Sequence, residues 1–514
     1  MELTQDIYRA FEDVVGTENI SADPAVVDGY CFQPFGAVTT QRFFTRAAAI
    51  LLPGNTKEVQ AIVKLCARFG MKCKALGTGY GIYCLAGSED TVTLDLRRMN
   101  RIIDIDKKNM IAIIEPYVTF GQVMAEAMKL GLACNVLGAG CQASMLASYT
   151  SMVGNNTQSV SQGYSARNLL GVEWVLPTGE IVRLGAPGSG AGWFSGDGPG
   201  PSLRGIMRGS VGAMGGLGVF TKCAAHLHPW FGPPELEIKG ISPYYEAELP
   251  PNFEYHVLEW PTWEQCADAL YKIGESEIAF AFHKTAGPGS HGSIVTGCNN
   301  EYYEKRQAGK YLVPEVSWAI VTAGYTPEEH AYQVKVLDKI LEETGGKISP
   351  IGEDPDWKNV DFINMIKACF IPRMSFRIAG TFSCDGMMGQ ESIDNCMQAL
   401  KTDRTLKDKY SQKGVIMDDG TCTNWGVIYE GGHFALLEGG YSFSSIDENN
   451  MKEFNKMVQE GSEIALKKPL GLGWMAMDTQ GPIFSNFSDW KRKIKRSFDP
   501  NTVVDPTTYV SLDE

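Results

Sequence analysis

The chain has no pair of cysteines in C-x-x-C spacing, although 13 cysteines are spread over its 514 residues. Zinc and iron–sulfur frameworks need clustered thiolates, so the sequence offers neither, and no metal site is expected. A scattered, odd set of thiols fits a reducing compartment. No apolar run approaches the roughly 18 residues that a membrane span requires. The start, Met1-Glu2-Leu3-Thr4-Gln5-Asp6, is polar and acidic, unlike a secretory leader, so a cytoplasmic location is expected. Positive charge is also short: 46 Lys and Arg face 60 Asp and Glu, a net charge of −14. That balance argues against nucleic acid or an anionic membrane surface as the main partner. The densest basic stretch, Lys491-Arg492-Lys493 with Lys495-Arg496, reads as a solvated helix face, because Trp490, Ile494 and Phe498 recur at helical spacing. Histidine is scarce at seven residues, and no short internal repeat is present.

Glycine is what the chain has in excess, with 56 residues against a usual share of about 7%. Three clusters stand beside short β-type runs: Ala75-Leu76-Gly77-Thr78-Gly79-Tyr80-Gly81, then residues 153–180, then residues 208–221. Such loops bring bare N–H groups against phosphate oxygens, and three in order imply one large anionic ligand gripped along its length. The usual dinucleotide fingerprint, G-x-G-x-x-G between a strand and a helix, does not fit, since Gly77-x-Gly79-x-Gly81 has other spacing. Taken alone, that loop is equally well a tight turn.

Length predicts two to four domains. Residues 1–44 read as a largely helical lead-in. From Ala47 the pattern is β-α-β: a strand over 48–53, a helix with Thr56 as its N-cap and Gly70 as its stop, and a strand over 71–75. Further strands are expected over 91–96, 102–105 and 110–115, a helix over 120–130, and a hairpin from 172–175 and 181–184. The Pro-rich, aromatic stretch 228–234 marks a boundary. The divisions expected are thus 1–44, 45–230, 231–470 and a C-terminal return over 471–514. The third part has longer helices, such as 327–344, and strands over 318–323, 376–382 and 425–429.

The succession from Glu58-Val59 through Gly77–Gly81, Val153-Gly154-Asn155, Gly163-Tyr164, residues 171–182 and 203–210 to Gly218-Val219-Phe220-Thr221-Lys222 resembles the FAD-binding domain of the vanillyl-alcohol oxidase / p-cresol methylhydroxylase flavoprotein superfamily. The resemblance covers roughly residues 45–230, and Phe498-Asp499-Pro500-Asn501 is similar to its closing motif. It implies an α+β fold: two subdomains clasping an extended FAD, with an α+β cap domain built on an antiparallel sheet. Leu76, Gly77, Thr78, Gly79, Tyr80 and Gly81 would wrap the pyrophosphate. Gly154 and Asn155 would lie beside the flavin, and Gly218 and Val219 at the adenine or ribose end. The first loop lacks the histidine through which many members attach the flavin, so FAD is expected to be non-covalent there. Cys141 lies near where some members place a second tether, but its surroundings differ and a structural thiol is the plainer reading. His433 or a cap tyrosine stays open as a tether.

For the chemistry, polar groups that interrupt apolar strands are the candidates. The stretch 425–438 offers Tyr429, Glu430 and His433, with a neutral imidazole suited to act as a base near pH 7; the plainer reading packs His433 in the cap sheet with the carboxylates in solvent. Arg373 and Arg377, four apart on an expected strand, would share a face and grip a carboxylate, unless they form internal salt bridges. Tyr80 resembles a phenolate-holding tyrosine of the phenol-oxidising branch, or is a packing aromatic. The H-x-G-D-G-N-x-H run usual in D-2-hydroxy-acid dehydrogenases of this superfamily is absent, Glu430-Gly431-Gly432-His433 being at best its remnant.

The reading is an FAD-dependent dehydrogenase taking hydride from a hydroxyl-activated carbon of a small substrate, a hydroxy acid in preference. A para-substituted phenol or benzylic alcohol is the alternative. A flavin-bearing electron-transfer subunit and a member that binds no flavin are the rivals. The lack of cysteine motifs leaves room for an iron–sulfur or electron-transferring flavoprotein partner, and a homo-oligomer stays open.

Overall fold

The computed structural model describes residues 2–32, 44–79, 84–136, 140–151, 154–185, 190, 192–193, 212–285, 292–310, 313–367, 377–383, 388–418, 425–468, 470 and 487–512. The fold is α+β. Its first sheet has the order Ile20–Ser21, Ala49–Leu51, Thr91–Asp95, Lys72–Leu76, with the last three strands parallel. The Thr56–Phe69 helix crosses over this sheet, burying Val59, Ile62, Val63 and Cys66 at helical spacing. Its cap is Asn55 rather than Thr56: the Asn55 side chain accepts from the amides of Lys57 and Glu58. Thr56 is thereby the first helical residue, and its hydroxyl is free to donate to Glu173 Oε1 at 2.7 Å. Gly70 ends the helix in the left-handed conformation, as its spacing predicts.

Glu173 belongs to a second, five-stranded antiparallel sheet, ordered Ile102–Asp106, Ile111–Ile114, Val219–His226, Leu169–Val175, Ile181–Leu184. Burial works against its charge. Lys222 Nζ at 2.6 Å, Thr56 and Arg183 outweigh that effect and hold the carboxyl at about 2. With Gln60 donating to the Gly179 carbonyl at 2.6 Å, this carboxylate locks the helix of the first sheet onto the second.

The remainder is built on antiparallel strands. A four-stranded sheet runs in the order Ala279–Lys284, Ser317–Ala323, Phe253–Glu259, Lys347–Ile348. A three-stranded one runs Met388–Glu391, Phe434–Glu438, Trp425–Tyr429. The helices Trp263–Ser276 and Pro327–Thr344 share a core with Phe282 and Trp318. Pro355–Lys367 contributes Trp357, Phe362 and Ile366 to another, which also holds Tyr149, Tyr164 and Tyr429. No helix among the described residues is long and apolar enough to cross a membrane.

Two sequence expectations fail here. The extended run over 376–382 is reduced to the strand Thr381–Ser383; Arg377 stands in a helical turn that Gly380 ends at a φ of 90°. Arg377 is therefore not on a strand face, and Arg373 lies outside the described residues. The basic Phe487–Phe498 helix is likewise not a solvated face throughout. Lys495 is completely buried, donating to Asp499 Oδ2 (2.6 Å), Val504 O (2.6 Å) and Gly216 O (2.7 Å), while the apolar Trp490 is exposed. Lys491 is buried too, its ammonium 4.9 Å from the Tyr509 ring centre. These lysines serve as anchors. They fasten the C-terminal segment to the third glycine cluster, and Val504 bridges Cys73 of the first sheet.

Candidate functional site

Between the two sheets of the first half lies a cleft that is partly open to solvent. One wall is Gly77, Thr78 and Gly79, which follow the Lys72–Leu76 strand directly. Gly79 has a φ of 77°, and among the described residues nothing but its chain neighbours lies within 4 Å of where its Cβ would stand. Thr78 Oγ1 accepts from the Ser144 amide at 2.9 Å. Ser144 caps the short Met145–Thr150 helix and donates its own hydroxyl to Pro116 O at 2.6 Å. The first glycine loop is thus fixed to a helix whose small side chains, Ala147, Ser148 and Ser151, form the opposite wall. Met214, Gly215, Gly218 and Phe220 close it from the second sheet. Cys84 also lines it, and burial pushes its thiol up to about 11 against the opposing pull of Lys74, so the sulfur is neutral near pH 7.

Gly77, Thr78, Gly79 and Gly218 accordingly stand in the cleft wall. Leu76 is the buried strand residue next to it, and Val219 is a buried residue of the Val219–His226 strand. A Cβ at Gly218, φ 129°, would lie 2.4 Å from Trp174 Nε1 and 2.5 Å from Val175 O, so packing demands glycine there. Gly154 sits one layer out, against the hydroxyls of Ser148 and Ser165, and Asn155 follows it. Tyr80 and Gly81 lie outside the described residues.

The chemical candidates of the second half separate. Tyr429 is fully buried, and its hydroxyl donates to Asn155 Oδ1. Its ring packs against Phe434 at 4.4 Å and edge-on to Tyr164 at 5.8 Å. Glu430, at a φ of 45°, accepts from Arg167 Nε at 3.1 Å on the surface, while Arg167 also covers the Tyr164 ring. His433 is exposed at the turn, its amide bonded to Tyr429 O. The glycines between them have a packing cause. A Cβ on Gly274 of the Trp263–Ser276 helix would lie 2.5 Å from Gly431 C and O, so helix and turn meet backbone to backbone. Cys141 packs on Gly121 rather than in the cleft wall.

Arg377 places Nη2 on Ser293 O (2.8 Å), Thr296 O (3.1 Å) and Thr296 Oγ1 (2.8 Å). Its Nε and Nη1 are buried with no partner among the described residues. A guanidinium left so is costly unless an anion completes it.

Sequence reasoning missed Ser144, Ala147, Ser148 and Ser151. Their signal was present: small residues three and four apart leave one helix face bare for a ligand. It also missed Pro116, which no local spacing distinguishes, and did not single out Met214 and Gly215 within the third glycine cluster.

The cleft fits FAD. Its first loop carries backbone amides and no lysine or arginine, as a nest for a diphosphate needs. Among the described residues the buried Ser148 hydroxyl in its wall has no hydrogen-bond partner, and one layer out the Asn156 side-chain amide nitrogen is in the same state. Residues 47–185 match the family described as FAD binding domain. An FAD-linked oxidoreductase of Mycobacterium tuberculosis with no characterised activity is 26% identical over 228 residues, 44% of this chain and 46% of its own length. A D-lactate dehydrogenase of Anaerostipes hadrus is 28% identical over 219 residues, 40% of this chain and 41% of its own. The chain thus spans less than half the length of these relatives. The crystal structure of p-cresol methylhydroxylase with substrate bound shares the fold over 98% of both chains, with a TM-score of 0.74 at 15% identity.

Proposed function

We propose that this chain, a flavoprotein of the vanillyl-alcohol oxidase / p-cresol methylhydroxylase superfamily with FAD as its cofactor, is a dehydrogenase of small hydroxy acids. The observation that carries the substrate class is Arg377, whose buried Nε and Nη1 have no partner among the described residues and suit a carboxylate. The D-lactate dehydrogenase among the relatives supports the same class. FAD, when bound, accepts the two electrons of the substrate C–H bond.

The chain's own groups do the rest. Gly77, Thr78 and Gly79 would hold the diphosphate, and Ser148, whose hydroxyl has no partner among the described residues, would donate to the same ligand. Arg377 orients the acid. Tyr429 on Asn155 closes the cap strand onto the cofactor half and helps keep water out of the seam. Having no cysteine framework for a metal cluster, the chain passes electrons on to oxygen or to a separate iron–sulfur or electron-transferring flavoprotein partner.

The test is anaerobic addition of D-lactate, glycolate, 4-cresol and vanillyl alcohol to the FAD-loaded protein. Bleaching of the visible flavin band by the hydroxy acids supports the reading. Bleaching by the phenols alone replaces it with phenol oxidation, and reduction only by a protein partner replaces it with an electron-transfer role.

A further inference from the structure

We propose that His283, oriented by Asp361, accepts the proton of the substrate hydroxyl; the proposal rests on the reading that the substrate carries one. His283 lies on the Ala279–Lys284 strand and is 3% exposed. Its Nε2 stands 3.2 Å from Asp361 Oδ1 and 3.3 Å from Oδ2, and Asp361, on the Pro355–Lys367 helix, is 2% exposed. Asp361 Oδ2 also accepts from the Tyr255 hydroxyl at 2.7 Å, and the Tyr255 hydroxyl oxygen accepts from Trp357 Nε1 at 3.1 Å. Burial and Asp361 push the Tyr255 phenol well up, so it stays a donor.

A carboxylate only accepts, so Nε2 carries the hydrogen and a neutral imidazole keeps a lone pair on Nδ1. That Nδ1 is buried with no partner among the described residues. Leaving such an acceptor unmet costs about 1–3 kcal/mol, which an apolar side chain in the same place would avoid. Among the described residues no group meets it: Lys284 Nζ donates to Thr285 O, and Glu353 acts on the Tyr255 phenol.

The pair stands at the seam with the cofactor half. The Phe282 amide donates to Thr157 O at 2.6 Å, Thr157 Oγ1 to Met365 O at 2.7 Å, and Gln158 Nε2 to Ile366 O at 3.2 Å. The strand bearing His283 and the helix bearing Asp361 are thus both pinned to one loop, which begins at Gly154 against Ser148 of the cleft wall. Arg377 and its partners Ser293 and Thr296 follow that helix and that strand, respectively, further along the chain. A hydroxy acid has a hydroxyl for His283 and a carboxylate for Arg377. In the proton step the substrate O–H bond breaks, an Nδ1–H bond forms, the electron pair stays on oxygen, and the imidazolium is neutralised by Asp361.

The experiment uses the full FAD-loaded chain with isotope-labelled histidine, read by nitrogen NMR, and H283Q to assign the signal. Expected is the Nε2–H tautomer, lost in D361N, and an Nδ1 signal that moves with 2-hydroxy-2-methylpropanoate but not with 2-methylpropanoate. The former has no C–H to lose, so it reports binding alone. H283Q keeps a donor for Asp361 and should fold, yet reduce its cofactor roughly a hundredfold more slowly with little change in KM. An Nδ1 signal indifferent to the hydroxyl ligand, or H283Q as fast as the parent, overturns the proposal while leaving hydroxy-acid oxidation standing. A parent chain that no hydroxy acid reduces overturns both.

Discussion

Tyr429 gives its hydroxyl hydrogen to Asn155 Oδ1, so the cap strand Trp425–Tyr429 is fastened to the loop beside the cofactor cleft by one fully buried bond. Tyr429→Phe leaves that Asn155 oxygen buried without its donor. A loss of about 1–3 kcal/mol of unfolding free energy is expected, together with faster FAD release. Chemical denaturation and flavin release measured on the same sample check both.

Thr78 acts on the cofactor from the other side, through the Ser144 amide. Thr78→Val keeps the shape and removes the acceptor. One lost hydrogen bond of about 1 kcal/mol corresponds to roughly fivefold weaker FAD affinity, to be read by titrating flavin into the stripped protein.

Arg377→Met should raise KM for a hydroxy acid about ten- to a hundredfold and leave oxidation of an uncharged alcohol unchanged, since a hydrogen bond to a charged group contributes about 1.5–3 kcal/mol. Equal losses for acid and alcohol would show that Arg377 is a structural brace on Ser293 and Thr296 instead.

Lys495→Met strips the cationic partner from buried Asp499 and leaves it only the amides of Val503 and Val504 among the described residues. Breaking a buried pair from one side costs about 3–5 kcal/mol, so the midpoint of urea unfolding should fall sharply. The C-terminal segment should become the first site of proteolysis.

Glu173 sets the acid limit. Its carboxyl is held at about 2, below the ordinary 4.5 it regains on unfolding. The folded state therefore binds fewer protons, and the stability Glu173 confers is complete above about pH 4.5. It is lost as pH falls through about 2. Glu173→Gln should flatten the stability curve across that window, measured by denaturant titration at a series of pH values.

The first half was largely legible in the sequence because its signals are local. Val59, Ile62, Val63 and Cys66 at helical spacing, with Gly70 after them, need no tertiary partner to be read. The hairpin of Leu169–Val175 and Ile181–Leu184 was equally plain around Pro177-Thr178-Gly179. The site of the second half was not, because its causes lie far apart in the chain. Gly431 and Gly432 look like a ligand loop until Gly274 is seen against them. Lys495 looks solvated until Gly216 and Val504 supply its acceptors. His283 and Asp361 carry no motif at all and come together only when a strand and a helix pack.

If hydride leaves a carbon bearing a hydroxyl, in an acid held by this chain, anaerobic stopped-flow reduction of the FAD-loaded protein by a 2-hydroxy acid must respond to hydrogen or deuterium at C2. The flavin band should bleach at a rate that falls severalfold with deuterium. A flavin that hydroxy acids leave oxidised, while 4-cresol bleaches it, would rule hydroxy-acid oxidation out.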